Sequence, residues 1–159
     1  MARQHLRDID RGFDRILREF KRSSRGVEAR IGIQAPEASV VREGGATNVQ
    51  IGVAHEFGVA ENNLPERSFL RSTADKNKGE YARLVQGLLS RFVDGRSSIK
   101  QVVGAVGEKV SSDVKGLLTD GVAPALSAAR IKQRAEKGTG SRPLHDTEQL
   151  KGSITVSVK

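Results

Sequence analysis

The sequence predicts an α+β domain, a small antiparallel sheet packed against long helices in the order α-β-β-α-α-α-β. Three observations point there. Apolar residues recur at spacings of three and four over residues 6–20, 69–92 and 99–117, the period of an amphipathic helix. Short alternating stretches, the period of a strand, follow the first of these and close the chain. A chain of 159 residues also suits one domain better than two, so residues 1–159 are read as a single unit.

The first helix spans residues 1–25, with Leu6, Ile9, Phe13, Ile16, Leu17 and Phe20 on one face. On a wheel of about 100° per residue, Arg3, Arg7, Arg11, Arg15, Arg18, Arg22 and Arg25 form a ridge opposite that face. Residues 1–30 hold nine Lys/Arg against five Asp/Glu, a net of +4, half of the chain's +8. Such a ridge is either a solvated face or a contact for an anionic partner. "VEARIGIQA", around Ile31 and Ile33, and "NVQIGVAHEF", around Val49, Ile51 and Val53, read as two antiparallel strands. The polar segment 35–47 between them contains Gly44-Gly45 and reads as a mobile hairpin loop. A long helix runs from Phe69 to Phe92 and ends near Gly95. Another, from Ile99 to Leu117, keeps its period despite many β-branched residues. "SAARIKQRAEKG" is a short basic helix capped by Ser127, and "GTGSRP" is a loop. Asp146 or Thr147 then caps one helical turn before a final strand with Ile154, Val156 and Val158 on one face.

Composition excludes several chemistries. Without cysteine there is no disulfide, thiolate metal site or thiol nucleophile. No apolar run approaches the roughly 20 residues of a membrane helix. We therefore expect a protein made in the cytoplasm, with no membrane partner. The hydrophobic share of 36%, with 4% aromatics and 17 glycines, implies a thin aliphatic core and hints at burial shared between subunits. The three histidines, His5, His55 and His145, have no partner at metal-ligand spacing, and "HEFGV" lacks the second histidine of a zinc-protease helix. Neither a phosphate-binding glycine loop nor a G-x-S-x-G elbow occurs. No catalytic, metal or cofactor site is expected, and a binding or structural role is favoured over an enzyme.

The stretch "HEFGVAENNLPERSFLR", residues 55–71, reads as a joint. Phe57-Gly58 would end a strand, Pro65 would set the approach to a helix, and Ser68 would cap it ahead of Phe69 and Leu70. Arg67 and Arg71 would pair with Glu56 and Glu66 and pin strand end to helix start.

This stretch also resembles the virion-morphogenesis, or tail completion, family of Mu-type phages and related minor tail components. "RPLHDTEQLKGSITVSV" near the C-terminus is similar to a second signature of that family. The departures are Glu148 in place of a glycine and Ser68 between Arg67 and Phe69. The resemblance implies that Glu56, Phe57, Gly58, Pro65, Arg67, Phe69, Leu70 and Arg71, with Pro143, Leu144, Asp146, Thr147, Leu150, Ser153 and Ile154, serve structure and assembly. It further implies a virion protein at the head-proximal end of the tail or neck, forming a homo-oligomeric ring, with a hexamer favoured. Its neighbours would be the tail tube protein and the head–tail connector proteins, with passing contact with phage DNA. The alternative is a DNA-binding protein that uses the arginine ridge.

Overall fold

The computed structural model describes residues 12–23, 26–42, 45–136 and 148–159. Their order is α1 (Phe13–Arg22), β1 (Ala29–Ile33), α2 (Asn48–Phe57), α3 (Leu70–Val93), α4 (Ile99–Asp120), α5 (Ala128–Glu136), α6 (Glu148–Gly152) and β2 (Ile154–Val158). The class is α+β, with a two-stranded antiparallel sheet against long helices. Arg3, Arg7, Arg11, Arg25, Pro143, Leu144, Asp146 and Thr147, together with Gly44, lie outside the described residues.

One expected element is of a different kind. Residues 48–57 form helix α2, not a strand. The alternation of Val49, Ile51 and Val53 is too short to separate the two periods. Local chemistry decides: Thr47 Oγ1 accepts from the Gln50 amide while the Gln50 side chain accepts from the Thr47 amide, a reciprocal capping box. The helix buries Asn48, Gly52 and Glu56, one residue per turn on the same face. Gly52 sits where any side chain would collide with Ile33. The loop ahead of α2 carries a short 3-10 turn at Glu37–Ser39 and a bridge between Val41 and Thr47. Asn48 ties it to the helix by donating to the Glu37 carbonyl at 2.9 Å.

The sheet pairs the first strand with the last, Ala29 with Val158 through Ile33 with Ile154. Glu28 and Lys159 exchange both backbone hydrogen bonds at 3.1 Å, so Ala29, Ile31 and Ile33 belong to the non-hydrogen-bonded pairs and their polar backbone groups face the outer edge of β1. Ile154, Val156 and Val158 share one face, as their alternation predicts, and α4 packs on it. Close approach is possible because α4 presents Gly107 there: a Cβ at Gly107 would lie 2.8 Å from Val156 and 3.1 Å from Ala29.

The core joins α3, α4, α6 and β2 through Phe69, Val114, Leu118, Val122, Leu150 and Ile154. It is thin, as the composition implies. Among the described residues eight large apolar side chains are buried, while eleven are exposed, including Phe13, Leu17 and Phe20 on α1 and Val49, Val53 and Phe57 on α2. Apolar surface of that extent on two helices is more than scattered single residues account for.

Candidate functional site

The joint between α2 and α3 is built around one carboxylate. Glu56 lies in the last turn of α2 and is only 4% exposed. Its Oε2 accepts from the backbone amides of Phe69, at 2.8 Å, and Leu70, at 3.0 Å. Its Oε1 accepts from the Ser68 hydroxyl at 2.7 Å, the Arg71 amide at 3.1 Å and Arg71 Nε at 3.3 Å. Three of the amide donors that the first turn of a helix leaves unpaired therefore converge on a single anion, which also meets the positive end of the helix dipole. Burial by itself would raise the carboxyl pKa, but the hydrogen bonds from Leu70, Ser68 and Arg71 outweigh it and hold Glu56 below the usual carboxylate range.

This arrangement corrects the reading of Ser68 as the helix cap. Phe69 occupies the N-cap position without a side-chain bond of its own, and the capping group comes from a residue 13 positions earlier in the chain. Ser68 instead donates to the same carboxylate.

Two arginines flank the clamp with different duties. Arg71 pairs with Glu56 and with Glu66, whose Oε1 lies 2.6 Å from Arg71 Nη2. Its guanidinium also covers the exposed Phe57 ring at 5.0 Å. Arg67 forms no ion pair among the described residues, contrary to expectation. It is buried, donates through Nε to the Pro124 carbonyl at 3.0 Å, and its amide donates to the His55 carbonyl at 2.7 Å. Arg67 thus ties α2 to the turn after α4 by neutral acceptors. Gly58 closes α2 at φ +73°, where a Cβ would meet the Glu66 amide nitrogen at 2.8 Å. Only glycine suits that backbone and that space.

His55 and Glu56 diverge on the helix. His55 is partly buried near Arg67 and Arg42, and its Nδ1 is buried without a hydrogen-bond partner. Burial, then the positive charges of Arg67 and Arg42, lower its pKa to about 4, so the ring is neutral at pH 7.

Residues of the two separated segments, 55–71 and 143–154, meet in the core. Phe69, Leu150 and Ile154 share the core cluster, with Leu70 packed against it. Ser153, 1% exposed, donates to the Leu150 carbonyl at 2.7 Å. Pro65 is exposed on the approach to α3.

The described part of the arginine ridge is not uniform. Arg15 donates to the carbonyls of Phe92 and Val93, both at 3.0 Å, and so caps the C-terminus of α3. Arg22 lies 3.6 Å from Glu19. Arg18 remains exposed.

Sequence reading missed a second polar cluster, in which Lys109 of α4 bridges Asp113 at 2.7 Å and Glu80 of α3 at 3.0 Å. Tyr81 donates its hydroxyl to Asp113 at 3.0 Å. The i,i+4 spacing of Lys109 and Asp113 was the available signal. Glu80 and Tyr81 joined only when α3 folded against α4.

Beside the clamp, a groove of about 490 Å³ runs between β1 and α2, lined by Ile31, Ile33, Val49, Val53, Phe57 and Arg71 among others. Among the described residues no group of three or more His, Asp or Glu side chains is placed to hold a metal ion. No helix of the described residues is long and apolar enough to cross a membrane.

The joint and core define an α+β protein in which a buried carboxylate locks α2 to the start of α3 and the last strand pairs with the first. No protein-family model, curated protein or solved structure matches the chain.

Proposed function

We propose that the protein is a structural virion protein of a tailed bacteriophage, a tail completion, terminator or neck ring subunit that caps the tail tube and enables head–tail joining. The observation that carries this reading is that the two separated segments bearing the resemblance meet in one core beside the clamped joint. Glu56 clamps the start of α3, and the first residues of α3 pack with Leu150 and Ile154 in one core. A joint of this kind holds a shape and offers no open reactive group, since the carboxylate is fully engaged. The exposed apolar stripes of α1 and α2 suit a subunit that completes its burial against neighbours, here a homo-oligomeric ring, with six copies favoured. Tail tube and connector proteins would bound the ring on its two sides.

The competing reading, DNA binding through the basic helix, rests on the net charge of +8. It loses Arg15 to a structural cap.

Electron microscopy of the purified protein, and of particles made with and without its gene, tests the proposal. Rings at the head–tail junction are expected, with unjoined heads and tails when the gene is removed. Normal joined particles in the deletion overturn it. Duplex binding that weakens steeply with salt, without rings, supports the DNA reading instead.

A further inference from the structure

The subunit carries two exposed apolar stripes, and they lie at opposite ends of one long helix. On α1, Phe13, Leu17 and Phe20 are 65%, 38% and 58% exposed. On α2, Val49, Val53 and Phe57 are 39%, 52% and 61% exposed and form one wall of the groove beside β1. Both helices have ten residues and are therefore about 15 Å long.

The two stripes of one subunit cannot meet. Arg15 anchors α1 at the C-terminus of α3, through the carbonyls of Phe92 and Val93, and the edge of Phe20 packs on Phe92. The groove lies at the other end of α3, where Leu70 and Arg71 line it. The 24 residues of α3 separate these ends by about 35 Å.

We infer that the apolar stripe of α1 in one copy docks onto the α2 stripe and groove of the next copy, so that one repeated head-to-tail contact builds the assembly. The inference deepens the ring reading and rests on it. Repeated head to tail, a contact between two different patches generates a ring or filament, whereas two copies exchanging it reciprocally close a pair, so a wild type that sediments as a dimer overturns the head-to-tail assembly. Charge agrees with this pairing. Lys21 borders the α1 stripe, Glu61 follows the C-terminal end of α2, and neither has an ion pair among the described residues. From the exposures, the six side chains offer on the order of 600 Å² of apolar surface, against roughly 900 Å² in a complete interface of standard size. The outer edge of β1, with the free backbone groups of Ala29, Ile31 and Ile33, borders the same groove and adds polar contacts at its rim.

The test uses the full chain and two variants, Leu17→Asp on the donor stripe and Val53→Asp on the acceptor stripe. Mass is read by analytical ultracentrifugation, with circular dichroism as the check on folding. Wild type is expected to assemble, and each variant alone to sediment as the 17.2 kDa monomer. Mixed in equal amounts, the variants should give a 1:1 heterodimer and nothing larger, because one intact donor then meets one intact acceptor. Lysine versions of both substitutions supply a second pair should an aspartate version lose helical signal. Variants that assemble like wild type overturn the docking and leave the ring reading standing. A mixture that stays monomeric overturns the head-to-tail pairing, and a monomeric wild type overturns both.

Discussion

Replacing Glu56 by glutamine keeps the side chain's volume but exchanges one acceptor oxygen for a donor. Whichever way the amide turns, backbone or guanidinium donors are left facing an N–H. If the nitrogen takes the place of Oε2, the amides of Phe69 and Leu70 lose their acceptor; if it takes the place of Oε1, the Arg71 amide and Nε do. Phe69 is wholly buried, so water cannot substitute. An orphaned buried donor costs about 1–3 kcal/mol, and loss of the anion at the helix N-terminus adds about 0.5–2 kcal/mol. We expect Glu56→Gln to lose about 1.5–5 kcal/mol, a large part of the 5–15 kcal/mol that typically stabilises a domain. Arg71→Met removes only partly exposed ion pairs and should cost about 1 kcal/mol or less. Urea unfolding followed by circular dichroism measures both. A Glu56→Gln loss below about 1 kcal/mol, or one smaller than that of Arg71→Met, refutes the amide clamp and returns the joint to a simple ion pair. The clamp also has a pH signature. Because folding lowers the Glu56 pKa, its contribution is complete above the unfolded value of 4.5 and is lost as pH falls below that, towards the folded value.

Three further outcomes follow from the same geometry. Folding lowers the His55 pKa from 6.5 to about 4, so the unfolded chain binds the extra proton between those values. Stability should be complete above pH 6.5 and fall by on the order of 3 kcal/mol by pH 4; His55→Gln should flatten that slope in pH-dependent unfolding, and an unchanged slope would falsify the assignment. Gly58→Ala forces a side chain into φ +73° and against the Glu66 backbone, and should cost about 2–4 kcal/mol in the same urea assay; a loss under 0.5 kcal/mol means that α2 does not end as described. Gly107→Ala places its Cβ 2.8 Å from Val156, so α4 must lift from the sheet at about 1–3 kcal/mol; an unchanged melting temperature counts against that close contact.

The long helices were legible because each repeats its apolar period over many turns. α3 and α4 lie where the spacing places them, and Gly95, at φ +82°, follows the end of α3 as expected. The last strand was legible for the same reason, from Ile154, Val156 and Val158 alternating after a short helical turn. The segment 48–57 was not, because ten residues with valine and isoleucine at alternating positions satisfy either period and the outcome turned on the Thr47–Gln50 capping box.

Residues 55–71 could be recognised as a joint from their composition, since glycine, proline and paired charges have local consequences wherever they occur. Their partners could not. Glu56 reaches amides 13 to 15 positions away, and Arg67 reaches a carbonyl 57 positions away. The sequence by itself determined which segments form helices of regular period and where the chain turns, because those depend on neighbours a few residues apart. Tertiary structure alone decided which charges cap, which pair and which apolar stripes stay uncovered, because hydrogen bonds and burial are made between groups that only the folded chain brings within 3 Å of one another.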